Sequence, residues 1–255
     1  MSSFLFEGRS VFYEECGEGA PLLLLHGNTA SGKMFDPIVP PLSARYRVMR
    51  MDFLGCGRSD RLRTWPADLW YDWARQVAAF CAYKGLDKIF VIGCSGGALA
   101  AVNAALEYPE LIGAAVADSF EGTRADPALT EHIRAGRAQA KRSESFREYL
   151  RSIHGEDWEA VFDADTDAVL RHASETGAFF HKPLESLRVR LLLTGSREDE
   201  MFPAGHYERL FAEITGKTGL ARARIFEHGR HPAMMSNREA FVSLCGRFFA
   251  GGEEP

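Results

Sequence analysis

The sequence predicts an α/β protein built on a mainly parallel sheet with helices on both faces. Three observations carry this. Short apolar runs alternate with longer stretches of helical spacing over most of the chain, the order expected when each parallel strand returns through a helix. Several of these runs end in loops that carry Gly, Asp or His. One of them, residues 89–92, passes directly into Gly93-Cys94-Ser95-Gly96-Gly97 and then into a helix-forming stretch from Ala98 to Glu107. The length of 255 residues suits one domain, or one domain with an insertion.

In chain order, residues 4–7 and 10–15 flank Gly8-Arg9 and read as a short antiparallel hairpin, broken by Gly17-Glu18-Gly19. Pro21 leads into Leu22-Leu23-Leu24-Leu25, a buried strand that runs into His26-Gly27-Asn28. Pro37, Pro40 and Pro41 interrupt residues 32–43, which predicts a short or ragged helix. Residues 46–52 form the next strand, closed by a turn through Gly55 and Gly57. Leu69, Trp73, Val77 and Phe80 recur at helical spacing within 66–84, and Gly85 follows where a left-handed residue commonly ends a helix. After the strand at 89–92 and its helix, residues 111–117 give another strand, ending in Asp118-Ser119-Phe120.

From 121 to 187 the texture changes. Charges become dense, β-branched runs disappear, and helix formers dominate at 130–141, 144–153 and 166–174. This predicts a helical insertion at 121–187 within a core made of 1–120 and 188–255. A strand at 188–194 resumes the core. A helix at about 203–215 should open with Pro203 in a favoured first-turn position. The last strand is expected at 222–227 and the final helix at 236–249, so eight strands are expected in all.

Composition narrows the function classes. Hydrophobic residues make up 46% and charged residues 25%, as in a globular protein with a sizeable core. A formal net charge of −5 leaves no basic excess to neutralise phosphates and argues against a nucleic-acid partner. The five cysteines, Cys16, Cys56, Cys81, Cys94 and Cys245, are scattered without C-x-x-C spacing. Reduced thiols in a cytoplasmic protein are therefore expected, not a disulfide frame or a zinc site. No basic, apolar leader is seen, so no signal peptide is expected, and no stretch approaches the length that spans a bilayer. The chain carries no H-E-x-x-H, no P-loop and no dinucleotide-type G-x-G-x-x-G after the first strand; neither metal nor organic cofactor is expected.

The stretch around Ser95 fits G-x-S-x-G between a strand and a helix, the context of a nucleophile elbow. The tight reversal strains the serine and leaves no room for bulky neighbours, which explains the glycines. It exposes Ser95 Oγ above the sheet and sets the Gly96 N–H at a helix N-terminus, where it can stabilise an oxyanion. A serine needs a base within reach and a third group to orient that base. Loops at the carboxyl ends of parallel strands converge on one rim. Two later loops qualify: one offers Glu198, Asp199 and Glu200, the other His228 and His231. The order Ser, acid, His is that of the α/β-hydrolases.

Over nearly its full length the chain resembles the α/β-hydrolase fold family. Four motifs carry the resemblance: His26-Gly27-Asn28, Asp52-x-x-Gly55-x-Gly57-x-Ser59, the elbow at 93–97, and the late Asp and His loops. It implies that Asp199, four residues before Pro203, is the acid, with Glu198 and Asp118 as alternatives. It implies that His231 of Gly229-Arg230-His231 is the base, rather than His228. It also implies an oxyanion hole made by the backbone N–H groups of Gly96 and Asn28, while His26 and Asp52 hold loops together. Cys94 is expected to pack behind the elbow.

The insertion is expected to cap the pocket, with Phe120, Trp158, Phe162, Phe179 and Phe180 as candidate apolar lining and Phe120, Trp158 and Phe179 as the substrate-binding residues. The short cap, His181-Lys182-Pro183-Leu184 and Gly229-Arg230-His231 resemble the valacyclovir hydrolase-like branch. That branch holds a substrate ammonium with an aspartate directly after the nucleophile, where this chain has Gly96. The expected activity is therefore hydrolysis of a small-molecule carboxylic ester through an acyl-enzyme. A thioesterase, a carbon–carbon bond hydrolase or a non-catalytic binding member of the fold are the alternatives, and the chain is expected to act as a monomer or homodimer.

Overall fold

A computed structural model describes residues 2–252. The first half of the chain forms strands β1 (Ser2–Phe6), β2 (Arg9–Cys16) and β3 (Ala20–Leu25), a 3-10 turn (Gly32–Phe35), helix α1 (Val39–Ser43) and β4 (Tyr46–Met51). Helix α2 (Leu69–Lys84), β5 (Ile89–Cys94), α3 (Gly96–Glu107) and β6 (Ile112–Asp118) follow. Three helices, α4 (Pro127–Ala140), α5 (Glu144–His154) and α6 (Trp158–Glu175), lie between β6 and β7 (Arg190–Ser196). The chain closes with α7 (His206–Lys217), β8 (Ala221–Phe226), α8 (Ala233–Ser236) and α9 (Arg238–Phe249).

The eight strands form one sheet in the order β1-β2-β4-β3-β5-β6-β7-β8. Strands β1 and β2 pair antiparallel, β2 meets β4 antiparallel, and every later pairing is parallel. Strand β3 shows why its sequence is a continuous apolar run. Leu22 and Leu24 pack with Phe35, Ile38 and Phe241 on one face, while Leu23 and Leu25 pack with Trp73, Val77 and Phe80 on the other. All four leucines are fully buried, each contributing roughly 1.5–3 kcal/mol of hydrophobic stabilisation.

Three elements differ from the sequence-based expectation, the first being helix α6, which begins at Trp158, eight residues before the expected stretch at 166–174. Helix α7 opens at His206, not at Pro203, because Gly205 takes a left-handed turn (φ 73°) that separates the proline from the helix. The final helix is split at Asn237 (φ −120°, ψ 37°), whose side-chain amide donates to Ser196 Oγ and to the carbonyls of His228 and Ala233. The five cysteines are free, and four of them are buried. No helix among the described residues is long and apolar enough to cross a membrane.

Candidate active site

Strand β5 ends at Cys94 and helix α3 begins at Gly96, so Ser95 alone makes the turn between them. Its backbone sits at φ 54°, ψ −122°, a strained conformation of the kind that persists only where the surroundings enforce it. Those surroundings are tight. A Cβ on Gly93 would lie 2.1 Å from the Gly97 carbonyl oxygen, and one on Gly97 would lie 2.1 Å from that of Leu25. Cys94 is fully buried, and burial pushes its thiol well above the ordinary range.

The corner at the end of β6 fixes this turn to the other loops. Ser95 N donates to the Asp118 carbonyl at 2.8 Å, and Ser119 N donates to the Thr194 carbonyl of β7 at 2.8 Å. Ser119 Oγ and Asp118 Oδ2 accept the N–H groups of Ala233 and Met234, just past His231, at 2.8 and 3.1 Å. Asp118 also accepts from Thr194 Oγ1 at 2.6 Å. Burial raises its carboxyl to about 6 despite these donors.

His231 Nδ1 lies 2.9 Å from Asp199 Oδ2. The same oxygen accepts from Tyr207 Oη at 2.6 Å, and Asp199 Oδ1 accepts from Met201 N at 2.9 Å. Burial acts to raise the Asp199 carboxyl, but His231, Tyr207 and the Met201 amide together hold it below its usual value. An ionised Asp199 accepts the Nδ1 proton, which leaves Nε2 free to act as a base. Glu198 instead meets the exposed His228 at 3.1 Å and the Gly229 N–H at 3.3 Å. The residue pairs from these two loops are thus sorted into one partly buried couple and one at the surface.

On the opposite wall, His26 Nε2 accepts the Phe53 N–H at 3.0 Å, so Nδ1 carries the proton and donates to the Gly27 carbonyl at 2.8 Å. Asp52 accepts the N–H groups of Gly32 and Arg58 at 2.7 and 2.8 Å. Both side chains hold loops together. Both polar atoms of the Asn28 side chain are engaged: Nδ2 donates to Asp165 Oδ2 at 3.0 Å and Oδ1 accepts from Trp70 Nε1 at 3.1 Å. The backbone N–H groups of Asn28 and Gly96 have no hydrogen-bond partner among the described residues. Thr29 adopts a left-handed φ of 58°, which costs on the order of 1–3 kcal/mol.

Ser95, Gly96, Asn28 and His231 line one cavity of about 350 Å³. The three inserted helices supply its far wall, with Ile133 and Arg137 from α4, Phe146 from α5, and Phe162 and Val169 from α6. Glu121 sits on its edge, where burial raises the carboxyl to about 7 against the opposing pull of Arg137. A second, more open cavity of about 620 Å³ adjoins it and shares Glu121, His132, Met201 and Phe202.

Phe120, Trp158 and Phe179, expected to line the pocket, do not. Phe179 packs edge-on against Trp70 (5.0 Å) and stacks on His172 (5.4 Å). Phe120 lies 6.4 Å from Phe211 within the main core, and Trp158 joins Leu150, Ile153 and Phe162 in a small core of the insertion. Each is nearly inaccessible, because the aromatic surface was needed to join elements rather than to face a ligand. The residues missed from sequence are Trp70, Thr29 and Asp165. Only Asp165 left a trace, as a charge on the otherwise apolar stripe Trp158, Phe162, Val169 of α6.

A parallel sheet with a strained serine after its fifth strand, and a His–Asp couple on the same rim, defines the α/β-hydrolase class. A family model described as the alpha/beta hydrolase fold matches residues 20–166, and the chain belongs to that family. It is 32% identical over 126 residues to a 2-(acetamidomethylene)succinate hydrolase of Mesorhizobium japonicum, covering 48% of this chain and 44% of that protein. It is 35% identical over 103 residues to a pimeloyl-[acyl-carrier protein] methyl ester esterase of Aliivibrio salmonicida, covering 40% of this chain and 37% of that protein. The matched stretches thus span less than half the length of these two curated relatives. A solved meta-cleavage product hydrolase from Pseudomonas fluorescens has a TM-score of 0.76 at 22% identity over 98% of both chains, a likeness of fold.

Proposed function

We propose that this protein is a serine hydrolase that cleaves a small-molecule carboxylic ester through an acyl-enzyme. The observation that carries the reading is the 2.9 Å contact of His231 with Asp199 on the cavity that also holds the strained Ser95. Ser95 Oγ attacks the ester carbonyl while His231 Nε2 takes its proton. Asp199 fixes the ring tautomer and stabilises the imidazolium. The oxyanion is received by the N–H groups of Asn28 and Gly96, each worth about 100- to 1,000-fold in turnover. His231 then returns the proton to the departing alkoxide. Water, activated by the same nitrogen, attacks the acyl-enzyme and releases the acid.

In this reading residues 121–187 form a cap over the core, and the largely apolar wall formed by Ile133, Phe146, Phe162 and Val169 favours an apolar acyl group. The unpaired thiols support a reducing compartment such as the cytoplasm. Labelling with a fluorophosphonate probe tests the mechanism. Ser95 should be labelled in the wild type and not after His231→Ala. A panel of short-chain p-nitrophenyl esters, acyl thioesters and ring-cleavage dienoates tests the substrate class, with esters expected to turn over fastest. Hydrolysis that survives Ser95→Ala would overturn the reading.

A further inference from the structure

Thr29, the residue after the proposed oxyanion donor Asn28, is held from both sides by the inserted helices. Its N–H donates to Asp165 Oδ2 at 3.1 Å, and its carbonyl lies 3.1 Å from His154 Nε2. His154 Nδ1 accepts the Gly57 N–H at 2.9 Å, so the proton sits on Nε2 and is donated to Thr29. Asp165 Oδ2 also accepts from the Asn28 side chain at 3.0 Å. Asp165 is fully buried on α6, and its other oxygen accepts from Arg137 Nη1 of α4 at 2.8 Å. All three inserted helices therefore contribute a side chain to one bonded group that ends on the backbone of Asn28 and Thr29.

We propose that Asp165 is a positioning residue for the oxyanion hole, acting through the Asn28–Thr29 backbone. The inference rests on the serine hydrolase reading. One carboxylate oxygen ties both the Asn28 side chain and the next amide, so Asn28 cannot turn about its own backbone. Its free N–H keeps one direction on the cavity wall. The tie also holds Thr29 in a left-handed conformation that a β-branched residue would otherwise leave. The insertion is then part of the catalytic frame as well as a wall of the pocket.

The test is steady-state ester hydrolysis by Asp165→Ala, Asp165→Asn and the double variant Asp165→Ala/Thr29→Gly, with Ser95→Ala as reference. Asp165→Ala should lower kcat by about 10- to 100-fold, less than full loss of an oxyanion donor, with KM within about threefold. Asp165→Asn keeps an acceptor oxygen toward the loop and should restore most of kcat. Thr29→Gly should recover part of the loss, since glycine holds a positive φ without the tie. Wild-type kcat in Asp165→Ala, with turnover abolished in Ser95→Ala, overturns this inference alone. Full turnover in Ser95→Ala overturns the hydrolase reading instead. Should Asp165→Ala not fold, Asn28→Ala removes the side-chain tie while keeping the backbone donor. A several-fold fall in its kcat supports the proposal, and an unchanged kcat overturns it.

Discussion

Trp70 donates its indole N–H to the side-chain oxygen of Asn28 at 3.1 Å, and that oxygen occupies the space a side chain at position 96 would need. A Cβ on Gly96 would lie 2.0 Å from Asn28 Oδ1 and 2.7 Å from Trp70 Nε1. The glycine after Ser95 is thus required by its neighbours.

Gly96→Asp, which introduces the residue type that holds a substrate ammonium in the valacyclovir hydrolase-like branch, should therefore not confer hydrolysis of α-amino esters. It should displace Asn28 and lower kcat on p-nitrophenyl esters by at least about tenfold, given the value of an intact oxyanion site. Parallel assays on an α-amino ester and its des-amino analogue check this. A rise in turnover of the amino ester alone would refute it.

Asp199→Asn should lower kcat by about 10⁴-fold, because the amide stabilises the wrong imidazole tautomer. Tyr207→Phe should act more mildly and in a diagnostic direction. The folded Asp199 carboxyl lies below its usual value, so its stabilising contribution is present above the unfolded value of about 3.9 and is lost as pH falls through the folded one. Removing the Tyr207 donor moves the folded value upward and shrinks that contribution. Acid unfolding followed by circular dichroism should shift to higher pH in Tyr207→Phe.

Glu121 predicts the opposite pH dependence. Burial raises its carboxyl to about 7, so the folded state holds this proton more tightly than the unfolded chain does. Stability from this group is greatest below about pH 4 and is lost as pH rises through about 7. Glu121→Gln removes that loss. Its Tm should exceed the wild-type value at pH 8, by about 2–4 °C for each kcal/mol recovered. At pH 4 the two melting curves should come much closer together.

Phe162 and Phe179 should separate binding from packing. Phe162 faces the cavity as well as the small core of the insertion, whereas Phe179 lies against Trp70 and His172 and does not line the cavity. Phe179→Ala should destabilise by about 3–5 kcal/mol with KM for an apolar ester nearly unchanged. Phe162→Ala should raise that KM several-fold. Thermal melts and saturation curves on the same two proteins decide it.

Much of the sheet was legible because its central strands, β3, β5 and β6, are short and apolar and end at or beside Gly, Asp or His, a pattern set by burial on both faces. The positions of Ser95, Asp199 and His231 were legible because strand ends of a parallel sheet share a rim, so order along the chain translates into place. The pocket wall was legible only at Phe162, the one candidate aromatic that lines the cavity. Phe120, Trp158 and Phe179 have the composition of a lining, but which way an aromatic ring faces depends on helix rotation and on what lies opposite. Asp165 showed only as a charge on the apolar stripe of α6, and its role was hidden for a related reason. Its partners Asn28, Thr29 and Arg137 come from segments that only the packing of the three inserted helices brings together. Pro203 misled because Gly205, two residues on, turned the chain before the helix could start.

The corner formed by Asp118 and Ser119 belongs to none of the reacting groups, yet the segments that bear them are fastened to it or to the strand beside it. The placement of Ser95, Asp199 and His231 is thereby tied to the middle of the sheet, through backbone and side-chain bonds outside these three residues.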